Sequence, residues 1–135
     1  MPIATKPESL SCVIRRGFDE TLAELRSVLQ REDIDIVCEL PFHREFEKSM
    51  GVTCKRYTVL VVWSQFDTWR AVLTENDAGL LMPFNIAVVE YGGSTLIAVP
   101  NRNDRRRSRP TLGISLMLQE AEDKLRRIFA GCAWG

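Results

Sequence analysis

The sequence contains few of the residues from which metal sites and acid–base sites are built. It has one histidine, His43, and four cysteines that are spread along 135 residues without a C-x-x-C pair. Because a zinc site needs about four N or S ligands, usually brought in as closely spaced pairs, we expect no metal site. Neither a G-x-x-x-x-G-K-S/T nor a G-x-G-x-x-G frame is present, so Gly92 and Gly93 predict a hairpin turn rather than a phosphate loop. No cofactor is predicted.

The sequence also lacks an apolar run of the length that crosses a bilayer, about 18 residues. Its N-terminal residues contain no apolar segment typical of a secretion signal. We interpret the cysteines as free thiols, with Cys12 and Cys38 on the apolar side of strands, where cysteine packs as a small hydrophobe. These features favour a cytoplasmic protein with no membrane partner.

Neither sign of charge dominates, because 18 basic side chains balance 18 acidic ones. The two signs are unevenly placed: residues 1–100 hold 10 basic and 14 acidic side chains, and residues 101–135 hold 8 and 4. Net charges of −4 and +4 favour self-association, or docking of the C-terminal segment on the rest of the chain.

A polar, arginine-rich connection is predicted over residues 101–111. Its arginines can contact anions such as phosphates, and they are Arg102, Arg105, Arg106, Arg107 and Arg109. No aromatic residue is interleaved among them for base stacking, and a dedicated nucleic-acid binder usually carries a basic face. We therefore favour a solvated loop that pairs with acidic groups of the chain or of a dimer partner, and we rank nucleic-acid contact below it.

Hydrophobic periodicity predicts the element order β-α-β-α-β-α-β-β-α. Strands are expected at residues 9–16, 34–40, 57–63, 85–91 and 95–99, the third of them an apolar run covered on both faces. If the first two strands lie parallel, the helix between them makes a right-handed crossover. We predict an α+β fold: a single domain over residues 1–135, with a mixed sheet of about five strands and helices packed mainly on one face.

The predicted helices include a short second one that Gly51 closes and a last one over residues 112–130. The third follows Ser64 and is expected to turn its large apolar residues inward, namely Phe66, Trp69, Val72 and Leu73. In the last helix we expect Glu120 and Asp123 on the polar side, where they serve solvation rather than acid–base chemistry.

Three short motifs follow one another in the middle of the chain. They are Tyr57-Thr58-Val59-Leu60, Trp69-Arg70-Ala71-Val72 and Gly79-Leu80-Leu81-Met82-Pro83-Phe84-Asn85. Their order and spacing resemble the domain of unknown function 302 family, whose members have approximately Y-x-I-L, Y-R-A-L and G-L-L-L-P-C-N at these intervals. The resemblance covers about residues 10–100. It implies a compact α+β fold that is often paired as a homodimer, and it implies no established reaction.

Two departures from the family pattern bear on function. The chain has Trp63-Ser64-Gln65 where many relatives have C-N-P, and Phe84 where they have a cysteine. An aromatic ring supplies no thiolate, so thiol chemistry at these positions is not expected. We predict that Trp63 and Phe84 lie near each other at one end of the sheet, packed together or lining an apolar pocket. The plainer interpretation is that both rings fill core space, which is the commoner role of buried aromatic residues.

Two accounts of function remain open. The preferred one is a non-enzymatic module that binds a small apolar or aromatic ligand, or a protein partner, near Trp63, Ser64, Phe84 and Asn85. The alternative is a small enzyme or redox accessory protein whose chemistry lies on unidentified residues, with His43 or Cys54 as candidates. His43 shares a predicted helix face with Glu47, which is the spacing of an ordinary surface pair, so no catalytic residue is assigned.

Overall fold

The computed structural model describes residues 9–80, 82–100 and 112–130. Within these ranges the order of elements is β-α-β-α-β-α-β-β-α, as predicted. The elements are β1 (Ser9–Ile14), α1 (Phe18–Arg31), β2 (Asp35–Pro41), α2 (Phe42–Met50), β3 (Tyr57–Trp63), α3 (Gln65–Thr74), a 3-10 turn (Ala78–Leu80), β4 (Phe84–Tyr91), β5 (Ser94–Pro100) and α4 (Leu112–Ala130). The α+β class and the number of strands are confirmed.

The five strands form one sheet in the order β1-β5-β4-β3-β2, and all four neighbouring pairs are antiparallel. The expectation of a mixed sheet is therefore wrong. β1 and β2 do point the same way, but they occupy opposite edges with three strands between them. The helix that joins them, α1, contacts β5, β4 and β2 as it crosses the sheet from one edge to the other.

One face of the sheet carries the main hydrophobic core, because α1 and α4 both pack on it. The sheet contributes alternate positions such as Leu60, Val62, Ile86 and Ile97, in keeping with the two-residue period of a strand. The helices supply Phe18, Leu22, Leu25 and Leu29 from α1, and Leu125, Ile128 and Phe129 from α4. Helices packed mainly on one face are thus confirmed.

The opposite face of the sheet, here called the open face, receives no core side chain from α1 or α4. Its residues by register are Ser11, Val13, Asp35, Cys38, Leu40, Tyr57, Val59, Val61, Trp63, Asn85, Ala87, Val89, Tyr91, Ser94, Leu96 and Ala98. β3 alternates between buried and half-buried positions, so the prediction that it is covered on both faces is wrong. The apolar run of β3 is uninterrupted because the side chains that it places on the open face are apolar as well.

A β-bulge in β2 explains why the prediction that Cys38 lies on the apolar, core side of its strand is wrong. Val37 is the extra residue, since Ile36 pairs with Val62 while Cys38 pairs with Val61. Beyond the bulge, strict alternation would have kept Cys38 on the core side, whereas the structure exposes it on the open face. Glu39 takes the helix-covered side instead.

The orientation of α3 is the reverse of the one predicted. Phe66, Trp69 and Leu73 are 63%, 56% and 69% exposed, and the residues that face inward are Thr68 and Ala71. Ala71 lies in a small cluster with Ala78 and Met82, against which Met117 and Leu118 of α4 pack. Small side chains on the inner side allow α3 to approach the 3-10 turn closely, and this leaves the large apolar stripe outside.

Candidate functional site

A cavity of about 360 Å³ lies where β3 ends and β4 begins, beside α4. Trp63 and Ser64 line it from the end of β3, and Phe84 lines it from the first position of β4. Antiparallel pairing of Val62 with Phe84 brings these two strand ends together. We call this space the Trp63–Phe84 cavity.

The inner wall of the Trp63–Phe84 cavity is apolar, and its rim is charged. The apolar wall consists of Ile34, Val62, Met82, Phe84, Ala121 and Leu125. The charged residues at the rim are Asp67 of α3 and four residues of α4: Glu120, Asp123, Lys124 and Arg127. A mostly apolar concavity with a few polar groups at its mouth is the usual form of a small-molecule site.

The rim charges differ in whether they already have partners. Asp67 accepts a hydrogen bond from Arg70 at 3.1 Å, and Asp123 accepts one from the Gln119 amide at 2.9 Å. Lys124 and Arg127, by contrast, make no ion pair with any carboxylate in the described part of the chain. Two cations at the mouth of an apolar cavity are therefore available to a ligand.

The structure brings three of the four predicted ligand-site residues together and separates the fourth. Trp63, Ser64 and Phe84 line one cavity. Asn85 follows Phe84 along β4, so its side chain points to the opposite side of the sheet, where it is exposed and pairs in register with Val61. The predicted anion-contacting arginines of residues 101–111 lie outside the described residues.

His43 is held among α1, α2 and β3 rather than beside a reactive group. Its Nδ1 lies 3.0 Å from the amide nitrogen and 3.1 Å from the carbonyl oxygen of Tyr57, and it accepts from the first or donates to the second according to its tautomer. Its ring packs edge-on against Phe18 at 5.9 Å. These contacts fit a residue that joins α2 to the start of β3.

The cavity that His43 borders is dominated by ion pairs. Arg26 donates two hydrogen bonds to the Glu39 carboxylate, at 2.8 and 2.7 Å, and Arg56 pairs with Asp19 at 2.8 Å. The hydrogen bond from Arg26 lowers the pKa of Glu39 despite partial burial, and the same bond raises the pKa of Arg26. This two-pronged pair fastens the edge strand β2 to α1.

The remaining candidates for chemistry are dispersed. Cys54 is exposed in the α2–β3 connection, where its Sγ donates to the Lys55 carbonyl at 3.1 Å. In the ranges that the structure describes, no three His, Cys, Asp or Glu side chains come together as metal ligands. None of the described helices combines the length and apolarity needed to cross a bilayer.

The sequence interpretation missed the four charged residues that α4 places at the cavity rim. Glu120 and Asp123 were expected on the polar side of that helix, and they do flank its apolar stripe. The hydrophobic pattern of α4 could not predict that this helix lies beside the end of β3 and the start of β4. Ala121 and Leu125 of α4 pack at the core, so the charged residues next to them could have been assigned to the rim had the position of α4 been known.

Comparison with known proteins gives the family. The model of the domain of unknown function DUF302 matches residues 10–131, which includes the last helix as well as the region carrying the motifs. The chain belongs to this family. A crystal structure of an uncharacterized conserved DUF302 protein from Bacillus stearothermophilus has a TM-score of 0.68 and 18% sequence identity, covering 94% of this chain and 96% of that one. No curated protein matches. Neither the name of the family nor that of the Bacillus stearothermophilus protein states an activity. The comparisons therefore establish a family and a fold, and the function remains uncharacterised.

Proposed function

We propose that this chain is a non-enzymatic binding module whose Trp63–Phe84 cavity takes a small molecule with an apolar body and an anionic end. The observation that carries the proposal is the pairing of an apolar wall with Lys124 and Arg127 at the rim. An apolar body placed in the cavity displaces water from the wall, and the anionic end stays at the mouth within reach of both cations.

The size of the cavity limits the ligand. Its volume of about 360 Å³ is near the lower end of the roughly 300–1,000 Å³ typical of small-molecule sites. The aromatic rings of Trp63 and Phe84 at the strand ends favour a flat body, because stacked or edge-to-face ring contacts add to the burial of area. A ligand of one or two fused rings fits these limits.

The preference for an anionic end follows from the partners already present. Asp67 and Asp123 are engaged by Arg70 and Gln119, which leaves Glu120 as the one rim carboxylate without a partner among the described residues. The rim charges without an oppositely charged partner are then two positive, on Lys124 and Arg127, and two negative, on Glu120 and Asp123, because the Gln119 amide is neutral. A ligand carboxylate at the mouth gains from charge-assisted hydrogen bonds with Lys124 and Arg127, neither of which is already held in an ion pair among the described residues.

The test uses 2-naphthoate as the probe and 2-naphthylmethylamine as a probe of the same body and opposite charge. We expect saturable binding of 2-naphthoate, followed by its fluorescence, and weaker binding of the amine. Ala121→Leu should abolish binding by filling the wall. Lys124→Gln with Arg127→Gln should weaken it about tenfold or more, the effect of losing about 1.4 kcal/mol. Lys48→Gln removes an exposed charge from α2, none of whose residues lines the cavity; it is the matched control and should bind as the wild type does.

Two results would overturn this proposal. Equal affinity of the naphthoate for wild type and Ala121→Leu, with both proteins folded by circular dichroism, would place the probe elsewhere. Tighter binding of the amine than of the naphthoate would contradict the anionic end while leaving the cavity itself as the site.

We further propose that the module works as a cytoplasmic homodimer. The unequal charges of residues 1–100 and 101–135 support self-association. The free thiols of Cys38 and Cys54 support a reducing compartment.

A further inference from the structure

We infer that the open face of the sheet is the surface through which two copies of this chain pack together. The inference rests on the homodimer proposed above and assigns its interface. It is independent of the Trp63–Phe84 cavity.

The composition of the open face is unusual for a sheet surface exposed to water. An antiparallel sheet with one solvated face normally alternates apolar and polar residues, with the polar ones outward. Here the outward positions of β3, β4 and β5 are mostly apolar, and they form cross-strand rows such as Tyr57–Val89–Leu96. Val13 and Leu40 at the two edges are 42% and 44% exposed, while the central residues are half-buried and Val89 is buried among its neighbours.

The absence of charge from the centre of the open face favours an identical copy over another kind of partner. The only Asp, Glu, Lys or Arg that the strand register places on this face is Asp35, which lies on the edge strand β2 opposite Trp63 and away from the centre. In a two-fold interface each patch meets itself, so any central charge is brought close to its own copy and repels it. An uncharged centre avoids that repulsion, and it also offers a charged partner nothing to pair with there.

The area is sufficient for a dimer. Five strands about 4.8 Å apart, over about six residues of 3.4 Å each, give a projected face of roughly 500 Å² per copy. Two copies together bury about 1,000 Å² of this projected area, which reaches the lower bound for a specific interface. The protruding side chains add further accessible surface to this value. The stack of Phe42 on Tyr57, with ring centroids 5.2 Å apart, extends the apolar area at one corner.

The shape also suits face-to-face packing. One row crosses all five strands as Ser11–Ala98–Ala87–Val59–Leu40, with its smallest side chains in the middle. This row forms a shallow trough into which larger side chains of a facing sheet can insert. Two aligned sheets with a relative rotation of about 30° pack in this manner in β-sandwiches.

A second exposed apolar surface, the outer side of α3, is less suited to self-pairing. Phe66 and Trp69 there border a groove that also contains Asp33 and Asp35. Two carboxylates beside exposed rings suit a basic partner better than an identical copy. The outer side of α3 therefore serves as the comparison surface.

The experiment is analytical ultracentrifugation of wild type, Ala98→Arg in the centre of the open face, and Leu73→Arg on the outer side of α3. We expect a wild-type dimer, dimerisation weakened at least about 100-fold by Ala98→Arg through a central like-charge pair, and an unchanged dimer for Leu73→Arg. A monomeric wild type would refute the homodimer itself. A wild-type dimer that Ala98→Arg leaves intact would refute the interface alone, and loss of the dimer in Leu73→Arg only would transfer the interface to α3.

A second measurement needs no folding-sensitive variant, because the open face carries its own reporter. Cys38 is exposed on that face, and Cys54 is exposed in the α2–β3 connection outside it. We expect iodoacetamide to modify Cys38 more slowly as protein concentration rises through the dimerisation range, while Cys54 reacts at a constant rate. Constant reactivity of both thiols in a dimer would overturn the assignment, as would protection of Cys38 in a monomer, which would indicate another segment of the same chain on the face.

Discussion

The orientation of α3 can be tested by making the same substitution in two leucines of very different burial. Leu60 has 0% exposure in the core beneath α1 and α4, whereas Leu73 is 69% exposed on the outer side of α3. Leu60→Ala removes fully buried methyl groups and leaves a cavity, so it should cost about 3 kcal/mol, within the usual range of roughly 2–5.

The expected cost of Leu73→Ala is much smaller. Full burial of a leucine side chain is worth about 1.5–3 kcal/mol, and less than a third of this side chain is covered, which gives roughly 0.5–1 kcal/mol. Alanine recovers a small part of that through its slightly higher helix propensity. We therefore expect the two variants to differ by about 2 kcal/mol or more.

Urea unfolding followed by circular dichroism measures both values. With a slope of about 1.5 kcal/mol per molar urea, Leu60→Ala should lower the midpoint by about 2 M and Leu73→Ala by about 0.5 M or less. Equal losses in the two variants would refute the reasoning. They would mean that α3 turns its apolar stripe inward, as the periodicity of the sequence suggests.

Three further predictions concern β2 and its surroundings. Glu39→Gln should destabilise the fold by about 0.2–1 kcal/mol at neutral pH because the pair with Arg26 is partly exposed. Since the folded-state pKa of Glu39 is lowered, the stabilisation by this pair is present above the ordinary pKa of 4.5 and is lost as pH falls through the folded-state pKa. A difference in unfolding free energy between wild type and Glu39→Gln that persisted in strong acid would contradict this prediction. Deletion of Val37 should remove the bulge while Ile36 and Glu39 stay on the helix-covered side. The rate at which iodoacetamide alkylates Cys38 should then be unchanged. A slower rate, from a buried Cys38, would show that the register of β2 had shifted. Asp33→Gly should raise the unfolding free energy by up to about 1 kcal/mol, because Asp33 has a left-handed φ of 57°, and a loss of stability in the same urea assay would show that its side chain is needed there.

Regular local patterns were sufficient to predict much of the fold. Leu10, Cys12 and Ile14 alternate without interruption, and all three lie on the core side of β1 as expected. Gly51 ends α2 with a left-handed φ of 67°, which its missing side chain favours. Such features depend on neighbouring residues, so a single sequence displays them.

The remaining features depend on contacts between distant parts of the chain. The bulge at Val37 changes which residues of β2 face α1, and nothing in the alternating sequence indicates an extra residue. The apolar stripe of α3 is real, but the inner side of that helix is set by the close fit of Thr68 and Ala71. β1 and β2 likewise lie at opposite edges of the sheet because β1 pairs with β5 and β2 pairs with β3. No short-range pattern encodes these pairings.

The candidate site shows the same division. Trp63 and Phe84 were correctly expected near one end of the sheet, because each lies at a strand end in a recognisable motif. Asn85 was grouped with them by sequence proximity, although adjacent residues of a strand face opposite sides. Lys124 and Arg127 could be found only once the position of α4 was known.

The most direct test of the binding proposal is to locate 2-naphthoate on the protein by isotope-filtered NMR. We predict intermolecular NOEs from the naphthyl protons to the methyl groups of Met82 and Leu125 in the wall of the Trp63–Phe84 cavity. NOEs to Val59 and Leu40 of the open face, with none to Met82 or Leu125, would contradict the account and show that the probe occupies the exposed apolar sheet instead.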